Sequence, residues 1–221
     1  MSIRAVLFDI YGTLLVSNAG GTHPDPRLRE AIAAEHARSP HPFPEVDIRE
    51  IYGSLYPGLS SGEIETLVLE EEKASNPVKE MPGAAETLRG LAAAGPALGL
   101  VSNAQFYTAP LLEECLGASL EELGVDPELC RFSYLERRAK PDPFLFESLR
   151  EVLATRGLAA DEVLFVGNDV LKDIDPAKAC GFKTALLVGD PGSLRLHGRS
   201  LHESGADRIL SSLFELAGLQ A

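Results

Sequence analysis

The run Ala5-Val6-Leu7-Phe8-Asp9-Ile10-Tyr11-Gly12-Thr13 decides the fold. Ala5 to Phe8 leave no polar face, the pattern of a strand covered on both sides, and such strands belong to parallel sheets sandwiched between helices. The run then breaks at an acid and a Tyr-Gly-Thr turn, so the chain leaves the sheet through a polar loop. Further apolar runs repeat the theme at Leu98 to Val101, Phe132 to Tyr134, Val163 to Val166 and Thr184 to Val188. The segments between them have helical signals. Pro82-Gly83 opens a helix with Leu88 and Leu91 that closes at Gly95, and Asp142-Pro143 opens another with Leu145, Leu149 and Val152 before Gly157. Ile209, Leu213 and Leu216 share a stripe of a last predicted helix. The sum is an α/β protein with a doubly wound, Rossmann-like parallel sheet.

From Ser17 to about Glu80 there is no buried strand pattern, and the periodicity is helical. Asp25-Pro26 starts a helix bearing Leu28 and Ile32; Ile48, Ile51 and Leu55 mark a second; Ser60 and Glu63 form a capping box ahead of Ile64, Leu67 and Val68. Pro and Gly near residues 20 to 26, 40 to 44 and 57 to 58 separate them. The predicted organisation is a core of residues 1–16 and 81–221 with a small helical cap, residues 17–80, inserted after the first strand.

The 221 residues carry a formal net charge of −13. Nucleic-acid binding needs clustered Lys and Arg, so that class is excluded and a small-molecule partner is expected. Asp9 interrupts the N-terminal apolar run too early for a secretory signal, and no stretch nears the roughly 18 apolar residues of a membrane span. Cys115, Cys130 and Cys180 are odd in number and widely spaced, which suits a reducing, cytoplasmic setting and neither a disulfide framework nor a zinc site. His23, His36, His41, His197 and His202 show no metal-ligand spacing and are expected at the surface. A monomer or homodimer is expected.

Ligands of parallel α/β sheets bind beyond the carboxyl ends of the strands. The residues there are Asp9, Tyr11 and Thr13 after the first run, Ser102-Asn103 after the second, Lys140-Pro141-Asp142 ahead of a later helix, and Gly167-Asn168-Asp169 with Asp173 after the fourth. Singly, each has a plain alternative: an Asp after a strand is often a turn former or helix cap, Ser-Asn is a common turn pair, and Lys140 reads as a solvated side chain. Their shared position at one end of successive strands is what points to chemistry. In order, Phe8-Asp9-x-Tyr11-Gly12-Thr13-Leu14, Val101-Ser102-Asn103, Ala139-Lys140-Pro141-Asp142-Pro143 and Val166-Gly167-x-Asp169-x-x-x-Asp173 resemble the four motifs of the haloacid dehalogenase (HAD) superfamily. The resemblance spans residues 3 to 16 and about 81 to 216, and the insertion resembles the family's helical cap in position and character.

The resemblance implies a hydrolase in which Asp9 is the nucleophile, Ser102 and Asn103 hold the transferring group, and Lys140 neutralises charge between that group and Asp9. A carboxylate, with a reference pKa of about 4, needs no base to be nucleophilic, but donors and cations must shield it from an anionic substrate. Two motifs point different ways. Family phosphatases carry a second Asp two residues after the nucleophile as general acid; Tyr11 stands there, as in the family's 2-haloacid dehalogenases, whose halide leaves unprotonated. Tyr11 reads equally as a packing residue.

The fourth motif resembles the acidic pair of the phosphatases, so that Asp169 and Asp173, with Asp9 and the Tyr11 backbone carbonyl, would hold Mg²⁺. Formal charge agrees, since Asp9, Asp169 and Asp173 against Lys140 leave a negative excess. Asn168 stands where many relatives have Asp. The dehalogenases also use a cap arginine, and none of Arg27, Arg29, Arg38 and Arg49 matches it. The expectation is a Mg²⁺-dependent phosphatase of a small phosphorylated metabolite. The alternatives are a metal-independent 2-haloacid dehalogenase acting on a haloacid, and a catalytically degenerate binding or regulatory module. A receiver-type phospho-acceptor domain is disfavoured by the insertion. Gln105, Phe106 and Tyr107 are candidates for the pocket lining, and Asp175 is expected to be solvated.

Overall fold

The computed structural model describes residues 2–17 and 25–218; the turn signals at 20–24, and His23 with them, lie outside the described residues. Along the chain run β1 (Ala5–Phe8), β2 (Leu15–Val16), α1 (Pro26–Arg38), α2 (Ile48–Leu55), α3 (Ser61–Ser75), β3 (Lys79–Glu80), α4 (Ala84–Ala94) and β4 (Ala97–Ser102). There follow α5 (Thr108–Leu116), β5 (Val125–Phe132), α6 (Ser133–Glu136), α7 (Phe144–Thr155), β6 (Val163–Gly167), α8 (Asp175–Ala179), β7 (Lys183–Leu187) and β8 (Arg208–Leu210). All pairs in the six-stranded sheet are parallel, in the order β5-β4-β1-β6-β7-β8. Counted along the sheet strands alone, this is the 3-2-1-4-5-6 order of a doubly wound fold. The strand order reverses between β1 and β6, so the crevice opens at the end of β1, where Asp9 stands.

The apolar runs are buried on both faces because alternate residues enter different layers. Val6 and Phe8 pack with Leu88, Leu98, Leu112 and Leu164 on one side. Ala5 and Leu7 pack with Phe146, Leu149, Val163 and Phe165 on the other. Helices α1 to α3 gather around Leu28, Val46, Ile51, Tyr52, Ile64 and Val68, above a short antiparallel ribbon that pairs Leu15 with Glu80 and Val16 with Lys79. Their ends are fixed locally: the capping box of Ser60 and Glu63 forms, and Asp25 and Asp47 accept from the amides two residues on. No helix among the described residues is long and apolar enough to cross a membrane.

Two expectations need correction. The third strand is Val125–Phe132, not Phe132 to Tyr134, and Ser133 already begins α6. The final helical stripe splits: Ile209 lies exposed in β8, while Leu213 and Leu216 are buried in a 3₁₀ helix, Leu213–Gly218.

Candidate active site

Asp9 extends β1 by one residue, its amide donating to the Val166 carbonyl at 2.9 Å. The chain then turns sharply, with the amides of Thr13, Leu14 and Leu15 converging on the Ile10 carbonyl at 3.1, 2.9 and 2.9 Å. Gly12 has φ 92° in this turn, and a Cβ there would lie 2.2 Å from Asn168 Nδ2, so only glycine lets the loops after β1 and β6 approach.

The side chains converge on Lys140. Its ammonium donates to Asp9 Oδ1 at 2.7 Å, Asp173 Oδ1 at 2.5 Å and the Val101 carbonyl at 3.0 Å, with the side chain only 3% exposed. Ser102 Oγ donates to the same Asp9 oxygen at 3.1 Å, whereas among the described residues Asp9 Oδ2 has only a 3.4 Å contact from Thr13. Asn103 holds the main chain of Lys140 from both sides, Nδ2 donating to its carbonyl at 3.0 Å and Oδ1 accepting from its amide at 2.6 Å. A π-helical turn, Val170–Ile174, aims Asp173 inward, where Oδ2 accepts from the amides of Asn168 and Asp169 at 3.1 and 3.0 Å. Burial alone would favour the neutral amine of Lys140, but Asp173 and Asp9 outweigh it and hold the ammonium above its ordinary range. Burial pushes the Asp173 carboxyl up to about 7 against the pull of Lys140.

Other residues reach this cavity of about 430 Å³ without any motif to announce them: Lys172, Ser193, Arg195 and His197. They arrive because the segment after β7 folds back beside the loop after β6. Val170 N donates to the Arg195 carbonyl at 2.9 Å, Arg195 N to the Asn168 carbonyl at 3.0 Å, and Asn168 Nδ2 to the Ser193 carbonyl at 2.6 Å. His197 is exposed, as expected, and its Nε2 lies 2.8 Å from Asp169 Oδ1. The charge count changes as well: Lys140, Lys172 and Arg195 now face Asp9, Asp169 and Asp173 across one cavity, which removes the formal negative excess.

Among the described residues no three acidic, His or Cys side chains gather as a cation cage. Asp173 is spent on Lys140 and two amides, and Asp169 Oδ1 on His197 and the amides of Leu171 and Lys172. What remains is Asp9 Oδ2, Asp169 Oδ2 and backbone carbonyl oxygen. A donor set of one or two carboxylates with retained water is the kind Mg²⁺ takes, so these residues fit that ion without a contribution from Asp173.

Tyr11 lines the cavity, but its hydroxyl bonds to Thr108 Oγ1 at 3.0 Å, and burial pushes the phenol above its ordinary range. Gln105 clasps the cap instead of lining the cavity, its Oε1 accepting from Ile48 N at 2.9 Å and its Nε2 donating to the Val46 carbonyl at 2.8 Å. Phe106 and Tyr107 pack against the cap's apolar cluster. Arg27, Arg38 and Arg49 are paired with Asp25, Glu35 and Asp47, and among the described residues no arginine of α1 to α3 lines the cavity. Asp175 pairs with Arg199 at 2.7 Å.

A family model described as haloacid dehalogenase-like hydrolase matches residues 3–181. Among solved structures, an L-2-haloacid dehalogenase is 20% identical with TM-score 0.62, over 100% of this chain and 100% of its own. A HAD family hydrolase from Deinococcus radiodurans R1 with bound phosphate and sodium is 24% identical with TM-score 0.60, over 99% and 98%. A HAD phosphatase from Thermococcus onnurineus is 22% identical with TM-score 0.59, over 96% and 95%. A search of curated proteins gives no match.

Proposed function

Because the chain belongs to the haloacid dehalogenase-like hydrolases, we propose that it cleaves a phosphate ester of a small metabolite by attack of the Asp9 carboxylate on phosphorus. The observation that carries this reading is Lys140, buried between Asp9 and Asp173 at the tip of β1. An ammonium there offsets the repulsion between an anionic nucleophile and an anionic substrate, and needs no reorganisation when the substrate arrives. Phosphate is favoured over halide because, among the described residues, no arginine of the inserted helices lines the cavity, whereas Lys172 and Arg195 do.

As an Asp9 oxygen bonds to phosphorus, the bond to the leaving oxygen breaks and its electron pair departs with that oxygen. Ser102 and Lys140 keep the other Asp9 oxygen oriented. Water then attacks the aspartyl-phosphate, which releases phosphate and restores Asp9. Asp9, Asp169 and the Tyr11 carbonyl would hold Mg²⁺, which would supply positive charge to the phosphoryl oxygens. The Tyr11 hydroxyl is committed to Thr108, so leaving groups that need no proton are favoured. The three free cysteines fit a cytoplasmic enzyme, and the charge of −13 fits one with no nucleic-acid or membrane partner, working as a monomer or homodimer.

Nitrophenyl phosphate tests this directly. Turnover that requires Mg²⁺, stops with a chelator and is abolished in Asp9→Asn is the expected result; turnover unchanged by that substitution rejects the mechanism. Halide release from 2-chloropropionate in the presence of chelator would instead select the dehalogenase reading, and binding without turnover under any divalent metal would select a binding module.

A further inference from the structure

We propose that Lys172 and Arg195 form a second anion site in the cavity, so that the preferred substrate is a phosphate ester whose leaving group carries its own carboxylate or phosphate. This rests on the phosphatase reading of the same cavity. The first observation is that both cations line the cavity and neither has a salt bridge among the described residues. Acids outnumber bases 33 to 20 in this chain, and carboxylates pair with Arg4, Arg27, Arg38, Arg49, Arg137, Arg156 and Arg199. Arg195, like Arg89, Arg138, Arg150 and Arg208, has no such pair, but it lines the cavity and they do not. Its Nη1 donates to the carbonyls of Gly192 and Leu194 at 2.7 and 3.1 Å, and it has no carboxylate partner among the described residues. Nε and Nη2 make no hydrogen bond there, and neither does the Lys172 ammonium.

The second observation is that the placement is built. Arg195 is pinned at both its amide and its carbonyl to the loop after β6, and the flanking Ser193 and His197 are tied to Asn168 and Asp169. Lys172 belongs to that loop, within the turn Asp169 caps. Both residues therefore stand on fixed backbone at the cavity wall, with their side chains exposed. Lys140 cannot serve a second anion, because its hydrogen bonds go to Asp9, Asp173 and Val101. Volume agrees, since about 430 Å³ lies in the range that accepts a whole small metabolite and not only a phosphate ion. A free guanidinium edge and an ammonium on the lining of one cavity suit the oxygens of a carboxylate or phosphate.

Calorimetric titration with non-hydrolysable phosphonates tests the site separately from the reaction. Phosphonoacetate, 3-phosphonopropionate and 4-phosphonobutyrate are compared with alkylphosphonates of the same length, and an alkane bisphosphonate distinguishes phosphate from carboxylate as the second group. For at least one length the wild-type chain is expected to bind the doubly anionic ligand about tenfold more tightly than its neutral-tailed match. Lys172→Met with Arg195→Met removes that preference, and Arg195→Lys retains part of it. Equal binding of charged and neutral tails by the wild type at every length, or an undiminished preference in the double variant, overturns the proposal. Absence of Asp9-dependent turnover would reject the phosphatase reading while the binding ratios still judge the site.

Discussion

Replacing Lys140 with Met would leave the carboxylates of Asp9 and Asp173 facing one another in a buried pocket with no cation between them. Breaking a buried pair by removing one partner costs about 3–5 kcal/mol, because the remaining charge keeps its desolvation penalty and loses its compensation. The expected loss of unfolding free energy in urea is of that size, and adding Asp173→Asn to Lys140→Met recovers part of it. A loss below about 1 kcal/mol would show that the ammonium does not bind the carboxylates together. Tyr11 illustrates the opposite case: a residue at the position of a general acid whose hydroxyl is already engaged with Thr108, so that the motif names its place and only the contacts show its task.

Helices α1 to α3 meet the core through a few directed contacts, and these set a pH dependence. Glu45 lies at the junction, accepting from Ser133 Oγ at 3.0 Å and from the Val46 amide at 2.9 Å, while its neighbours Phe43 and Pro44 pair with residues 138–139, just before Lys140. Burial is the largest influence on its carboxyl and raises it above the ordinary value of 4.5. A carboxyl raised in the folded state contributes stability that is complete below its unfolded value and lost as pH climbs through the folded one. Glu45→Gln keeps an acceptor for Val46 and carries no charge, so its thermal midpoint should exceed wild type at pH 7 and lose that advantage towards pH 4. A constant difference across the range would contradict the assignment.

The same scale explains what the sequence made legible. Central strands β1 and β6 are unbroken apolar runs covered on both faces, and the residues just beyond them are the motif residues. Edge strand β5 reads Val-Asp-Pro-Glu-Leu-Cys-Arg-Phe, half exposed and tolerant of Pro127 only because it lies at the edge, so periodicity pointed to the apolar triplet at its end. Arg195, His197 and Gln105 reach their partners through folding back of distant segments, which no local pattern encodes.

At the scale of the whole molecule, a net charge of −13 opposes any anionic ligand, while Lys140, Lys172 and Arg195 in the cavity attract it. The two influences differ in range, and salt separates them. At ionic strength near 0.01 M the screening length is about 30 Å, so an approaching anion feels the whole negative surface; at 0.15 M it is about 8 Å, so distant carboxylates are masked while cations in contact are not. Near 1 M, at about 3 Å, even the contact cations are weakened. Inorganic phosphate should therefore bind weakly at very low salt, most tightly at intermediate ionic strength and weakly again at high salt, as read by calorimetry in chloride at fixed pH. Affinity that rises steadily with salt would mean that the cavity cations do not contact the anion, and affinity that falls steadily would mean that the negative surface lies too far from the cavity mouth to be felt.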